Sequence, residues 1–348
     1  MKKALVFVLA LSMLLLAFGC GSPVQEPDNG GTPTDMPEET AANTALPTQT
    51  PSEEPTERPV DGTEAVLTAV LTVETGTSEN QIGYIHEEET YPVSAEDFIV
   101  FDDGRIAVLD STNYCIKEFT DGEMTRVIKP EGITYPSYFV VYDGCYYVLD
   151  SESRIFAVDM ETGETVGQYA LPNYMTTGFV IGMFASDSGV YVYSEDYVAY
   201  CVTDETQPSE KLVTVSRGGK GIKGFTNKRT DRHTKLDCHQ ITFLGYDANN
   251  SSYISVYEPV ENTSVIMGET SLHYFDKEGN FVGCARIPLE ECDAVPTNFI
   301  EITPDGSVYT MVCAKDRLTI YKITLGDFFT SKIPELTEEA KKLESSRP

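Results

Sequence analysis

From Glu64 onward the chain is written in short apolar runs separated by polar turns. VLTAVLTV, FIVF, RIAVLD, FVVYD, YYVLD, IFAVDM, VYVYS, YISVYE, LHYFD and LTIYKI are each four to eight residues long and rich in Val, Ile, Tyr and Phe. Between them fall DDG, DG, TG, DSG, EGN and PDG, the punctuation of strands joined by tight turns. No stretch before about residue 327 carries a helical period, so the pattern predicts an all-β unit. The final ELTEEAKKLESS predicts a short helix with Thr337 as its N-cap and Glu338 and Glu339 in its first turn.

One phrase is written twice, as DGRIAVLDS at 103–111 and DGCYYVLDS at 143–151. Alignment on the turn glycine adds SDSGVYVYS at Gly189, PDGSVYTMV at Gly306 and a weaker DANNSSYISVYE with Asn250 in the glycine's place. The spacings of 40, 45, 61 and 56 residues span 202, and five intervals of that span are about 40 each, the length of a four-stranded propeller blade. Phe98, Phe139 and Phe299 each begin an inner strand, after YPVSAEDF, YPSYF and VPTNF. In this frame glycine supplies the positive φ of the hairpin between the first and second strands. The apolar residues after it pack against neighbouring blades. Asp110, followed by Asn113, and Asp150, followed by Ser153, accept hydrogen bonds from the backbone of the next turn.

The expectation is a six-bladed β-propeller over residues 63–326, with five blades recognisable and a sixth degenerate around TVSRGGKGIKGFTNKRTDRHTKLDCH (213–238). The competing expectation makes that region a long hairpin insertion and leaves five regular blades. EAVLTAVLTVE (64–74) is expected to pair with the C-terminal blade, closing the ring and removing its exposed edges. Residues 327–348 form a tail with the short helix.

The N-terminus gives the unit an address. MKKALVFVLALSMLLLAFGC (1–20) reads as a secretory signal: Lys2 and Lys3, then an uncharged run too short to span a bilayer comfortably. LLLAFGC resembles a bacterial lipobox, which implies lipidation of Cys20 and an anchor of several acyl chains. Residues 21–62 are rich in Pro, Thr, Glu and Gly and cannot bury enough apolar surface to offset the entropy of ordering, so they read as an extended tether. The expected location is therefore the outer face of a bacterial cytoplasmic membrane, of Gram-positive type. Seven further cysteines, an odd number set mostly inside strand-like runs, read as small apolar side chains rather than a disulfide framework, with Cys284 and Cys292 the one pair left open.

Charge narrows the partners. The formal net charge is −30, and it is spread: nine acids face Arg58 in 21–62, and 46 acids face 22 bases beyond. Such a surface repels polyanions, which excludes nucleic acid as a partner. The exception is 211–235, where Lys211, Arg217, Lys220, Lys223, Lys228, Arg229, Arg232 and Lys235 stand against Asp231. It reads either as an anion-binding patch or, more plainly, as a solvated hairpin packing on the protein's own carboxylates.

The DGxIYVxD–xxN–xI–xF pattern resembles the NHL-type six-bladed β-propellers. The fit is closer to a group of bacterial cell-surface propeller lipoproteins. GTSENQIGYIHEEETYPVSAEDFIVFDDGRIAVLD is similar to their first blade, FLGYDANNSSYISVYE to a later one, and HYFDKEGNFVGCARIPLE to its closing strands. The resemblance covers about residues 73–325 and concerns fold far more than function.

Candidate chemistry is sparse. His233, Asp237, Cys238 and His239 in HTKLDCH are metal-ligating types, but their spacing matches no zinc pattern, and neighbours in a strand point to opposite faces. GGKGIKG follows no strand and opens no helix, so it is no phosphate loop. No cofactor or metal is expected. Propellers bind at the channel mouth, where the loops leading into the inner strands carry Tyr91, Tyr135, Tyr138, Tyr174 and Asn298. Tyrosine offers an amphipathic ring to a sugar or a peptide. The leading functional expectation is a monomeric binding or scaffold module for a protein or glycan. The alternative is an envelope enzyme of polysaccharide lyase, hydrolase or lactonase type with a channel-centred site.

Overall fold

A computed structural model of the chain describes residues 62–87, 90–171, 180–194, 198–204, 210–211, 240–261, 263–264 and 267–346. The chain opens with β1 (Val66–Gly76) and the short β2 (Ile82–Gly83), and four antiparallel blades follow. Blade 1 is β3 (Ala95–Val100), β4 (Ile106–Asp110), β5 (Cys115–Thr120) and β6 (Glu123–Ile128). Blade 2 is β7 (Tyr138–Tyr142), β8 (Cys145–Leu149), β9 (Arg154–Asp159) and β10 (Thr165–Ala170). Blade 3 is β11 (Val180–Ser186), β12 (Gly189–Ser194), β13 (Val198–Cys201) and β14 (Glu210–Lys211). Blade 4 is β15 (Gln240–Tyr246), β16 (Ser252–Pro259), β17 (Gly268–Phe275) and β18 (Phe281–Ile287).

Blade 5 takes its strands from both ends of the unit. β19 (Ile300–Ile302), β20 (Val308–Cys313) and β21 (Arg317–Thr324) are joined by β1, which pairs antiparallel with β21 from Val66↔Thr324 to Glu74↔Arg317, while β2 adds a fifth strand. The N-terminal strand therefore closes the blade, as its sequence led us to expect. Around it, the Thr63 N–H donates to Asp327 Oδ2 at 2.8 Å and the Thr330 hydroxyl to Glu64 Oε1 at 2.6 Å. The inner strands stand side by side, with β3 between β19 and β7, β11 beyond β7, and β15 against β19. This is a β-propeller. The degenerate sixth blade of the sequence reading falls at 213–238, outside the described residues.

The repeated phrase has a physical explanation. Second strands are buried on both faces, so successive side chains enter different interfaces. Val108 of β4 packs with β1 and blade 5, around Leu71, Phe98 and Ile320, whereas Ala107 and Leu109 pack towards blade 2 around Phe139, Tyr146 and Val148. One blade on, Tyr147 and Leu149 face Val190 and Val192 of blade 3. The hairpins ahead of these strands need left-handed backbone: Gly104 has φ 85°, Gly144 φ 73° and Gly306 φ 83°. Asn250 takes the same region at φ 61°, filling the glycine's place as its alignment implied.

One detail differs from the sequence reading, and one alternative left open is decided. The helix, α1 (Ile333–Ser346), begins a full turn earlier than Thr337. Ser331 accepts from the Ile333 N–H at 3.2 Å and so caps it, while the Thr337 hydroxyl sits inside the helix and donates to the Ile333 carbonyl at 2.7 Å. The earlier start lets Ile333, Leu336 and Ala340 cover Val260 and Met267. Cys284 and Cys292 form no bridge: the six described cysteines (115, 145, 201, 284, 292 and 313) are free thiols. Among the described residues no helix is long and apolar enough to cross a membrane.

The closure strand gives a direct test. Leu71 is 2% exposed, and Val70, the extra residue where the register slips between Ala69 and Leu71, is 38% exposed. Leu71→Ala is expected to lower unfolding free energy by about 2–5 kcal/mol, and Val70→Ala by less than about 0.5 kcal/mol, in urea titration.

Candidate functional site at the mouth of the ring

The start of β3, the start of β7 and the loop before β19 meet at one end of the ring. In β3 the register shifts between Ala95 and Asp97, so Glu96 is the extra residue of a bulge. Its carboxylate accepts from the Thr297 N–H at 2.9 Å and from the Thr297 hydroxyl, and its carbonyl accepts from the Asn298 N–H at 2.9 Å. Those bonds bind the loop before β19 to the start of β3.

Asp97 ties three blades. Its Oδ1 accepts from the Phe98 N–H at 2.8 Å and from Asn298 Nδ2 at 2.8 Å, and its Oδ2 accepts from the Phe139 N–H at 3.0 Å. The side chain is 2% exposed. Burial raises its pKa from 3.8 to about 7, against the pull of those three donors, and the neighbouring Glu96 adds to the rise. Glu301 of β19 is also pushed well above the usual carboxylate range, by burial first and then by Asp97. Tyr138, at the start of β7, has its phenol raised by burial and then by Tyr193, Asp97 and Glu96. Next to it, the Ser137 hydroxyl is buried with no hydrogen-bond partner among the described residues.

The outer ring of the mouth is aromatic. Tyr91 is 82% exposed and Tyr135 58% exposed. Tyr135 lies edge-to-face against Tyr114, with centroids 5.0 Å apart and planes at 78°. Both tyrosines have left-handed backbone, Tyr114 at φ 54° and Tyr135 at φ 43°, which costs a bulky residue on the order of 1–3 kcal/mol. At the matching place in the next blade the left-handed residue is Ser153, φ 64°, a short polar side chain. Burial, then its bond to Tyr135, raises the Tyr114 hydroxyl to about 12.

The turn aspartates cap their turns. Asp110 accepts from the Asn113 N–H at 3.1 Å and the Gly83 N–H at 2.9 Å, and pairs with buried Lys117 at 2.8 Å. Burial works to raise its pKa, but Lys117 and the hydrogen bonds outweigh it and leave Asp110 lowered. Asp150 accepts from the Glu152 N–H at 2.9 Å and the Arg154 N–H at 3.0 Å.

Of the residues singled out from sequence, Tyr138 and Asn298 meet at the Asp97 cluster, and Tyr91 and Tyr135 stand on the same end further out. Tyr174, Cys20, the basic residues Arg217, Lys220, Lys223, Lys228, Arg229, Arg232 and Lys235, and the HTKLDCH stretch lie outside the described residues. Glu96, Asp97, Glu301 and Tyr114 were missed. The available signal was an acid set inside an apolar inner strand, in AEDFIVF and FIEI; nothing in the aligned copies singled out Tyr114. Among the described residues no group of three or more His, Cys, Asp or Glu side chains is placed to hold a metal ion.

No family model matches the chain, and no curated protein matches it. Solved structures do. Virginiamycin B lyase from Staphylococcus aureus is similar at a TM-score of 0.40 and 10% identity, covering 75% of this chain and 99% of that one. BamB from Moraxella catarrhalis is similar at a TM-score of 0.33 and 12% identity, covering 74% of this chain and 97% of that one. At such identities the likeness concerns fold alone, which the blade topology establishes by itself.

The Asp97 clamp predicts a pH dependence. Between about pH 4 and pH 7 the folded chain holds a proton that the unfolded chain has released, so stability falls as pH rises through that window. Asp97→Asn places an amide N–H₂ group against an N–H donor, which costs about 1–3 kcal/mol at pH 5. The same change is expected to flatten the stability–pH slope by about one proton, or about 1.4 kcal/mol per pH unit, read from melts between pH 5 and 8.

Proposed function

We propose that the chain is a lipid-anchored extracytoplasmic propeller that works as a binding module for a protein or carbohydrate partner. The strained Tyr114–Tyr135 pair at the mouth carries this reading. Backbone strain persists where surrounding structure enforces it, and here it holds two aromatic rings together with Tyr135 facing solvent. A preset aromatic surface loses little side-chain entropy when a partner arrives. The cell-surface lipoprotein resemblance, the lipobox-like LLLAFGC and the tether-like composition of 21–62 support the address. As a flexible coil, those 42 residues reach roughly 35 Å, enough to hold a domain clear of a bilayer surface.

A second reading, an envelope enzyme with a channel-centred site, is favoured by one observation: a carboxyl with pKa about 7 beside two further raised carboxyls. Its geometry fits a clamp better. Asp97 is 2% exposed and both its oxygens are already engaged by donors of three blades, so a proton has no free path to a substrate.

The purified full chain in nonionic detergent is expected to cleave nothing in a panel of glycans, esters and lactones, and to recover a saturable partner from envelope extract. Turnover of any panel member, lost in Asp97→Asn and in Glu301→Gln, would transfer the assignment to the enzyme class. For the anchor, Cys20→Ala is expected to abolish incorporation of labelled palmitate, and undiminished labelling would overturn it.

A further inference from the structure

We infer that the mouth of the ring docks a basic polypeptide segment carrying apolar side chains between its lysines or arginines. This rests on the binding-module reading and names the partner's chemistry. Nine large hydrophobic side chains stand exposed among the described residues. Five of them, Val66, Val70, Val166, Val282 and Leu343, are scattered over outer strands and α1. The other four, Ile85, Tyr91, Tyr135 and Val295, lie in the three described loops that lead into β3, β7 and β19.

Those loops belong to one surface. Glu96 holds Thr297, Asp97 reaches both Phe139 and Asn298, and the Ser111 hydroxyl of the β4–β5 turn donates to the Pro136 carbonyl of the loop before β7. The Ile85 and Val93 backbones exchange two hydrogen bonds of 2.9 Å, which fixes the loop that presents Ile85 and Tyr91. Monomeric proteins seldom gather apolar side chains on one polar-rimmed surface without a use for them.

Charge decides between occupants. Exposed Glu87, Glu131, Glu291 and Asp293 lie in the same described loops as these apolar groups. Among the described residues, the exposed or half-exposed bases of these loops and turns include Lys129, Arg154, Lys315 and Arg317. Three of these are in ion pairs, Lys129 with Glu79, Arg154 with Asp150 and Glu152, and Arg317 with Asp316. An acidic rim with apolar tips is complementary to a segment that alternates cations with Leu-, Phe- or Tyr-like side chains. A neutral glycan gains nothing from these described acids, and an acidic polymer is repelled by them.

The test uses the full chain in nonionic detergent and fluorescence anisotropy with three labelled probes. They are a short synthetic peptide alternating lysine with leucine and phenylalanine, the same peptide with glutamate for lysine, and a neutral N-acetylated oligosaccharide. The lysine peptide is expected to bind, and to weaken steeply as salt rises from 50 to 300 mM. Tyr91→Ser and Tyr135→Ala are each expected to weaken it about tenfold, while Val166→Ala on the outer strand leaves it unchanged. Melting curves report whether Tyr135→Ala still folds, and the highly exposed Tyr91 keeps the test decisive if it does not. Equal binding of the glutamate peptide, binding of the oligosaccharide alone, or indifference to Tyr91→Ser each overturns the inference. If envelope extract still yields a saturable partner whose capture ignores both tyrosine variants, this inference fails and the binding-module reading stands. If no partner is captured and no probe binds, both fail.

Discussion

A sheet that curls into a ring has to hide its last edge, and here one pairing does so. β1 lies along β21 over the length of both strands, joining residues more than 240 positions apart in sequence. The interface between blades 1 and 5 presumes it. Val108 and Phe98 of blade 1 pack against Leu71 and Val73, which are themselves blade 5 residues only because β1 has reached that blade. Without the pairing β21 would present a row of unpaired backbone groups, and the first blade would lose one of its two faces. The Thr63–Asp327 and Glu64–Thr330 bonds extend the seam past the strands themselves.

At the other radius of the ring, a buried carboxyl performs a similar duty with different chemistry. Asp97 connects the starts of β3 and β7 and the loop into β19 through three donors, and the burial that makes those bonds strong also makes its ionised form costly. The Asp110–Lys117 pair next to it solves the same difficulty by neutralisation: both side chains are buried, and Lys117 also donates to the Gln81 carbonyl. The mouth is thus built on polar groups satisfied inward, which leaves its outward surface to tyrosines, isolated aliphatics and acids.

Much of this was legible in the sequence because it repeats. The turn glycines at 104, 144 and 306, the stand-in Asn250, the aspartates that cap the following turns and the pairing of 64–74 with the last blade all follow from local rules that each copy obeys separately. The helix start was misplaced because Thr337 and Ser331 are both competent caps, and the choice is made by where Leu336 and Ala340 can reach Val260, a contact remote in sequence. The acids of the mouth were illegible for a related reason. Among 55 acidic residues nothing local marks Asp97 or Glu301, whose neighbours arrive from three blades. The Tyr114–Tyr135 pair is equally non-local, a turn of one blade meeting the lead-in loop of the next.

The free thiols tie the chain's response to oxidants to ring closure. Burial raises Cys115 and Cys284 to about 12, and Cys313 well beyond an ordinary thiol. A shift from 9 to 12 lowers the thiolate fraction about a thousandfold at neutral pH, and the thiolate is the species that reacts. In the closed ring burial therefore slows the reaction of these sulfurs with oxidant. Before β1 meets β21 they have no such shelter, and an oxidising surrounding meets thiols of ordinary reactivity. Resistance to oxidant is thus a property of the closed ring, and local opening of the β1–β21 seam would show first as new thiol reactivity.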